Sequence, residues 1–357
     1  MKQIAILKPY NIQIIDRPEP KITKPTEIKV KTKVVGVSIG TELHDYRGTM
    51  EKVPEEFKKI HPYSFPQFPG YENVGEVVEV GSAVKDVKVG DRVVSCGPHA
   101  EYVVVPRQEA LPEYAKIPDS VSDEEATCAV LGTTCLYGIH RAQLGYRDTV
   151  VSTGDGMVGI LAALHANIAG ARRSILVGKH PGKLELARQA GVEKTINHND
   201  KDWYEQVMAA TDGFGADVVL ESVGSTLQTT GSIEEACKIC RHSGKVVLLG
   251  YHLAPQTDWI LGGDFYFKEI TMLNSRATGN GSHHPDLMEC FRRAQEFNYV
   301  RWTSTDLQRE VVQLIAEGKL NVKPLITHKF PYTDVGKVFE MLDQKKEDCI
   351  QVLLTGW

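Results

Sequence analysis

Residues 149–160 read TVVSTGDGMVGI, and this stretch constrains the fold more than any other. A β-branched strand runs into Gly154, Asp155 and Gly156, and a helix opens at once through Met157, Val158 and Gly159. In this G-x-G-x-x-G spacing the first glycine allows the tight turn and the second lets backbone approach a pyrophosphate. The third lets helix pack closely on strand, and the helix N-terminus faces the negative charge. The chain beyond this helix keeps the same rhythm: SILVG, KLELARQAG, KTIN, WYEQVMAATD, ADVVLESVG, a helix through Cys240, then GKVVLLG. Strands alternating with helical stretches predict a doubly wound, six-stranded parallel sheet of the Rossmann type, hence an α/β protein that binds a dinucleotide.

The first third of the chain has another texture. Short β-rich runs (EIKVKTKVVGV, ENVGEVVEVG, DRVVSCG, AEYVVV) are punctuated by turn residues, which predicts a barrel-like β unit. Residues 51–68 form an insertion-like loop with three prolines. Ser122 is a predicted N-cap, with acids in the first turn behind it. Two helical stretches, PDLMECFRRAQEF and TDLQREVVQLIAEG, come after the parallel unit, and the tail IQVLLTGW reads as a strand returning to the first domain. The expected organisation is a β-barrel-type catalytic domain over 1–122, a dinucleotide-binding domain over 123–272 and a closing segment over 273–357.

Composition removes several function classes. A formal net charge of −5 gives no electrostatic case for nucleic acid or an anionic membrane. No apolar run approaches the roughly 18 residues of a membrane span. The first twenty residues show no apolar signal core, so a cytoplasmic location is expected. Seven scattered cysteines fit reduced thiols, and Cys237 and Cys240 read as a core-facing pair rather than a metal site.

The nucleotide itself is constrained by the end of the second strand. An acid there binds the ribose 2′-hydroxyl of NAD. SILVG ends instead in Gly178, Lys179 and His180, with no acid until Glu185. Lys179 supplies a counter-charge for a 2′-phosphate, so NADP(H) is expected in preference to NAD(H).

These motifs resemble, over nearly the whole chain, the medium-chain dehydrogenase/reductase superfamily of the zinc alcohol-dehydrogenase lineage. GTELH (40–44), FPGYENVGEVVEVGSAV (68–84), VGDRVV (89–94), GDGMVG, ADVVLESVG, GKVVLLG and KEITMLNS occur in the family's order. The resemblance implies a GroES-like catalytic domain joined to the Rossmann domain, and dimers or tetramers of a homo-oligomer acting on a small molecule. It also implies cofactor contacts from Ser222 and Gly224 after one sheet strand and from Gly250 after the next.

The departures are as informative. Where the family places zinc ligands, this sequence has Ile39, Tyr71 and Thr133, and none is a thiolate, imidazole or carboxylate. The four-cysteine structural-zinc lobe is absent as well, so no zinc is expected. The S-x-GTE and PGYE motifs are similar to those of bacteriochlorophyllide a dehydrogenases, and only to that extent. By resemblance, Thr41 stands where a hydroxyl bonds the substrate oxygen and His44 at the far end of a proton relay, while Tyr71 replaces the metal-binding His. The expected chemistry is a metal-free hydroxyl relay of Tyr71, Thr41 and His44 that interconverts a secondary alcohol (a polyol, cyclitol or natural-product intermediate) and a ketone. Two other readings remain open: an NADPH-dependent enoyl- or quinone-type C=C reductase, and a nucleotide sensor without chemistry.

Overall fold

The computed structural model describes residues 1–53, 63–105, 107–108, 111–112, 114–224, 231–252, 262–276 and 302–357. The chain divides into two compact units: residues 1–130 with 280–318 and 326–357, and residues 131–279 with 319–325. The helix expected over 285–297, Cys290 and the centre of the 51–68 insertion lie outside the described residues.

The first unit begins with an antiparallel pair, β1 (Lys2–Lys8) and β2 (Asn11–Asp16). The long β3 (Ile28–Val37) leads directly into α1 (Ile39–Tyr46), so the GTELH motif forms a helix rather than an open loop. Next come β4 (Glu72–Val80), β5 (Arg92–Ser95), β6 (Tyr102–Val105), a short hairpin of β7 (Arg107–Gln108) and β8 (Leu111–Pro112), and β9 (Tyr114–Lys116). Ser122 caps α2 (Asp123–Thr127) in a reciprocal box with Glu125. The helix that the sequence suggests there is interrupted at Cys128 and resumes as α3 (Ala129–Ala142).

The second unit is the parallel sheet. It is built from β10 (Thr149–Thr153), β11 (Arg173–Gly178), β12 (Lys194–Asn197), β13 (Ala216–Glu221), β14 (Cys240–Leu248) and β15 (Thr271–Asn274). Their order is β12-β11-β10-β13-β14-β15, every pairing is parallel, and the order reverses at β10. The crossovers are α4 (Met157–Ile168), α5 (Pro181–Ala190), α6 (Trp203–Ala210) and α7 (Ser232–Ile239), followed by the short α8 (Asp264–Phe267). Val151, Ile175, Ile196, Val219 and Val246 stack in one core with Cys237 and Cys240. Cys240 begins β14 instead of ending the helix before it. Burial pushes the Cys237 thiol up to about 11 and that of Cys240 to about 12, which fits inert packing thiols.

The last elements return to the first unit: α9 (Ser304–Ala316), β16 (Ile326–Pro331), α10 (Val335–Asp343) and β17 (Gln351–Thr355). β17 lies antiparallel to β3, giving the sheet path β16-β17-β3-β4-β5-β9 with β6 also on β3. Ile4, Val35, Leu43, Phe339 and Leu354 make the core between this sheet, α1 and α10.

One core residue conflicts with its surroundings. His165 on α4 is buried, and neither ring nitrogen has a hydrogen-bond partner. Burial, helped by His140, lowers its pKa to about 4 from an ordinary 6.5. Between those values the unfolded chain holds a proton that the folded chain refuses. The penalty from this one group is therefore absent above pH 6.5 and grows as the pH drops toward 4, by about 3 kcal/mol over the window. His165→Leu is expected to gain on the wild type as the pH falls, with a larger rise in thermal midpoint at pH 4.5 than at 7.5; an equal difference at the two would show that the ring is not desolvated.

Candidate active site

At the nucleotide end of the second unit, β10 delivers Gly154 into a left-handed turn (φ 100°), and Gly156 caps α4. A Cβ at Gly159 would meet the Gly154 carbonyl at 1.8 Å, so only glycine allows the helix this close to the strand. A Cβ at Gly156 would meet nothing, which leaves the backbone N–H groups at the start of α4, from Met157 and Val158 onward, open to an anion.

Asp155 does something that its position does not announce. Its carboxylate turns to the end of β11 and accepts the Lys179 and His180 backbone N–H groups at 2.6 and 2.7 Å. The His180 ring lies 3.0 Å from the same oxygen. Gly178 is what admits it, since a Cβ there would meet the Asp155 Cβ at 2.5 Å. The expectation that no acid stands at the end of β11 is therefore corrected. The strand carries none, but the glycine loop places one there, already occupied by three donors.

Ser222, Gly224 and Gly250 follow β13 and β14, and a residue overlooked in the sequence holds the two glycines. Glu221 is fully buried, and its Oε1 accepts the Val223 and Gly224 N–H groups at 2.9 and 3.0 Å. Its Oε2 lies 2.8 Å from His252 Nε2, and its carbonyl accepts the Leu249 and Gly250 N–H groups. The Ser222 hydroxyl donates to the Thr153 carbonyl, tying the loop to the end of β10. The available signal was an acid ending an otherwise apolar strand, since a carboxylate is buried only where donors surround it.

In the first unit Tyr71 and Thr41 come together, with Ser38 as a third member. The Tyr71 hydroxyl donates to Ser38 Oγ, and the Thr41 hydroxyl also interacts with the phenol. Burial and the neighbouring carboxylates of Glu72 and Glu42 raise the Tyr71 pKa above that of an ordinary tyrosine. The phenol is thus held in its protonated form, the state that donates a hydrogen bond. His44 lies one turn beyond Thr41 on α1 and is not bonded to these hydroxyls. Its Nδ1 is buried without a partner, and burial and Arg47 lower its pKa, which favours a neutral ring.

Glu72, the acid that follows Tyr71, has an amide as its partner. Gln351 Nε2 donates to its Oε2 at 2.7 Å while Oε1 has no partner. Burial raises its pKa to about 8.

The positions where the family resemblance places zinc do not suit the ion. Ile39 packs into the apolar core beside α1, and the phenol of Tyr71 is engaged with hydroxyls. Among the described residues no group of three or more His, Cys, Asp or Glu side chains is arranged to hold a metal. Also among the described residues, no helix is long and apolar enough to cross a membrane.

Comparison with known proteins agrees with this architecture. Residues 24–119 match the alcohol dehydrogenase GroES-like domain family, and residues 158–293 match the family described as zinc-binding dehydrogenase. The chain is 29% identical to sorbitol dehydrogenase 1 of Saccharomyces cerevisiae, over 99% of its length and 97% of that relative. It is 28% identical to the L-threonine 3-dehydrogenase of Pyrococcus abyssi over 99% of each. Galactitol-1-phosphate dehydrogenase from Escherichia coli shares the fold, with a TM-score of 0.78 at 21% identity over 100% of both chains.

Proposed function

Since the chain belongs to the medium-chain dehydrogenase/reductase superfamily, in its zinc-type alcohol-dehydrogenase lineage, and is an NAD(P)-dependent oxidoreductase of CH–OH groups, we propose that it interconverts a secondary alcohol and a ketone with a hydroxyl cluster in place of zinc. The observation that carries this reading is the Tyr71–Ser38 hydrogen bond, with the Thr41 hydroxyl close to the phenol, at the position of a metal-binding His. A polyol, a cyclitol or a related natural-product intermediate is the substrate class most consistent with the sorbitol dehydrogenase relatives.

The dinucleotide, held at Gly154–Gly159, Lys179, Ser222, Gly224 and Gly250, supplies the hydride when bound. In the reducing direction the chain's own task is to deliver a proton to the carbonyl oxygen. Thr41, exposed at the first turn of α1, donates to that oxygen, and Tyr71 behind it replaces the proton. His44, a neutral imidazole one turn beyond Thr41 and not bonded to the cluster, is proposed as the group at the far end of the relay that exchanges protons with solvent.

NADP(H) is the proposed nucleotide. Both oxygens of Asp155 are spent on donors from Lys179 and His180, and the exposed Lys179 ammonium is left to face a 2′-phosphate. The protein is further proposed to form a homodimer or homotetramer through the Rossmann unit. β15 ends the sheet there, and beside it Tyr266 and Phe267 are 68% and 73% exposed.

The test is NADPH oxidation with polyol-derived ketones and with enones, on protein whose zinc content is measured and which is assayed with and without chelator. Chelator-insensitive ketone turnover at negligible zinc is expected. Turnover of enones alone would establish a C=C reductase, nucleotide binding without turnover a sensor, and one zinc per chain with chelator-sensitive turnover would end the hydroxyl reading. In the same assay Lys179→Ala should raise the Kd for NADPH roughly tenfold and leave that for NADH unchanged.

A further inference from the structure

Behind the hydroxyl cluster lies a buried ionisable pair that the chemistry above does not use. Glu42 and His99 are 1% and 0% exposed, and Glu42 Oε2 is 2.8 Å from His99 Nε2. The second oxygen of Glu42, Oε1, accepts the Ser38 backbone N–H at 2.8 Å. Ser38 Oγ accepts the Tyr71 hydroxyl. The other end of the same chain of contacts also reaches Tyr71. The His99 ring lies flat against Gly70, where a Cβ would meet ring atoms at 2.4–2.7 Å, and the His99 N–H donates to the Pro69 carbonyl at 2.9 Å. Gly70 stands at φ 105° and is directly followed by Tyr71. The contacts therefore close a ring: Tyr71, Ser38, Glu42, His99, Gly70 and back to Tyr71.

We propose that the Glu42–His99 pair is the positioning unit of the hydroxyl cluster, fixing both ends of the Tyr71–Ser38 hydrogen bond. The inference rests on the reading of Tyr71 as proton donor and deepens it. A buried pair of polar groups is a poor source of stability, because apolar residues of similar volume fill the same space without the cost of desolvation. What such residues cannot do is accept the Ser38 N–H while holding the 69–71 turn at a fixed distance. A metal ligand is aimed by the groups behind it, and here the pair aims a phenol in the same manner.

The test uses protein labelled with 3-fluorotyrosine, with the Tyr71 resonance identified by its absence in Tyr71→Phe. His99→Leu is expected to shift or broaden that ¹⁹F resonance while those of Tyr46 and Tyr114, buried in the cores of the same unit, stay in place. His99→Gln, which keeps a donor for Glu42, should restore it. In parallel kcat should fall roughly 10- to 100-fold in His99→Leu with the Kd for NADPH unchanged. An unmoved Tyr71 resonance in a folded His99→Leu protein, whatever its melting temperature, would overturn the proposal and leave the pair merely structural. If His99→Leu does not fold, Glu42→Gln carries the same test, since it keeps the shape and gives up one of the two accepted hydrogen bonds. The resonance is read without turnover, so full activity in Tyr71→Phe would refute the donor role while the fluorine shift still decides the positioning role.

Discussion

Tyr71→Phe is expected to lower kcat for ketone reduction by roughly 10²–10⁴-fold, the range over which a positioned proton donor contributes. The substitution removes one oxygen and keeps the ring, so packing changes little and the Kd for NADPH should hold. The size of the effect follows from the state of the phenol. Burial and the carboxylates of Glu72 and Glu42 hold its pKa above the ordinary tyrosine value, so it stays protonated through the working pH and is always ready to donate. Its partner Ser38 stands at the head of α1, and Thr41 is one turn into that helix. Removing Tyr71 leaves Thr41 with no proton behind it. Residues acting as one unit are grossly non-additive, so Thr41→Val added to Tyr71→Phe should cause little further loss. A kcat within about threefold of wild type in Tyr71→Phe would mean that the ring only fills the space of a metal.

The second large effect concerns stability, and Glu72 carries it. Fully buried, with one oxygen bonded to Gln351 and the other unpartnered, it takes a proton up to about pH 8 in the folded protein against an ordinary 4.5. Between those values the folded state holds a proton that the unfolded chain has released. The stability this one group contributes is therefore full below pH 4.5 and is lost as the pH rises through 8, by about 5 kcal/mol in all. Glu72→Gln imitates the protonated acid at every pH, and it should abolish this decline. Its second amide donor lacks a partner, which subtracts about 1–3 kcal/mol uniformly. Urea midpoints from pH 5 to 9 should thus put the variant below the wild type at the acid end and above it by pH 8, with the crossing between about pH 5 and 7. Parallel profiles would show that Glu72 is ionised in the native state. Gly36 is part of this arrangement, since a Cβ there would meet Glu72 Oε2 at 2.2 Å.

Much of this molecule is legible from local spacing alone. The alternation of strands and helices after residue 148 dictates the parallel sheet, because β-branched apolar runs joined by helical segments have few other ways to bury both faces. GDGMVG dictates the turn at Gly154 and the close approach at Gly159, both properties of the backbone within six residues. Ser122 and Glu125 form their cap from a spacing of three. Position within motifs marks Thr41 and Tyr71, and the structure joins them.

The tertiary structure decided the polar partners. Glu72 and Gln351 are 279 residues apart, Glu42 and His99 57, and Asp155 and His180 25. As far as its neighbours in sequence reveal, each carboxylate could equally have met a cation or solvent. Burial excludes water as a partner, and only the folded chain determines which distant donor arrives instead. This is why His99 and His252 carry no signal in the sequence, and why Asp155 reads as part of a phosphate loop when it fills the end of β11. Cys240 leaves its helix to start a strand because it pairs there with Ala216 of β13, another contact made only in the fold. Hydrophobic period and glycine placement act over a few residues and survive in the sequence. The pairing of buried charge is a property of the packed interior and exists only there.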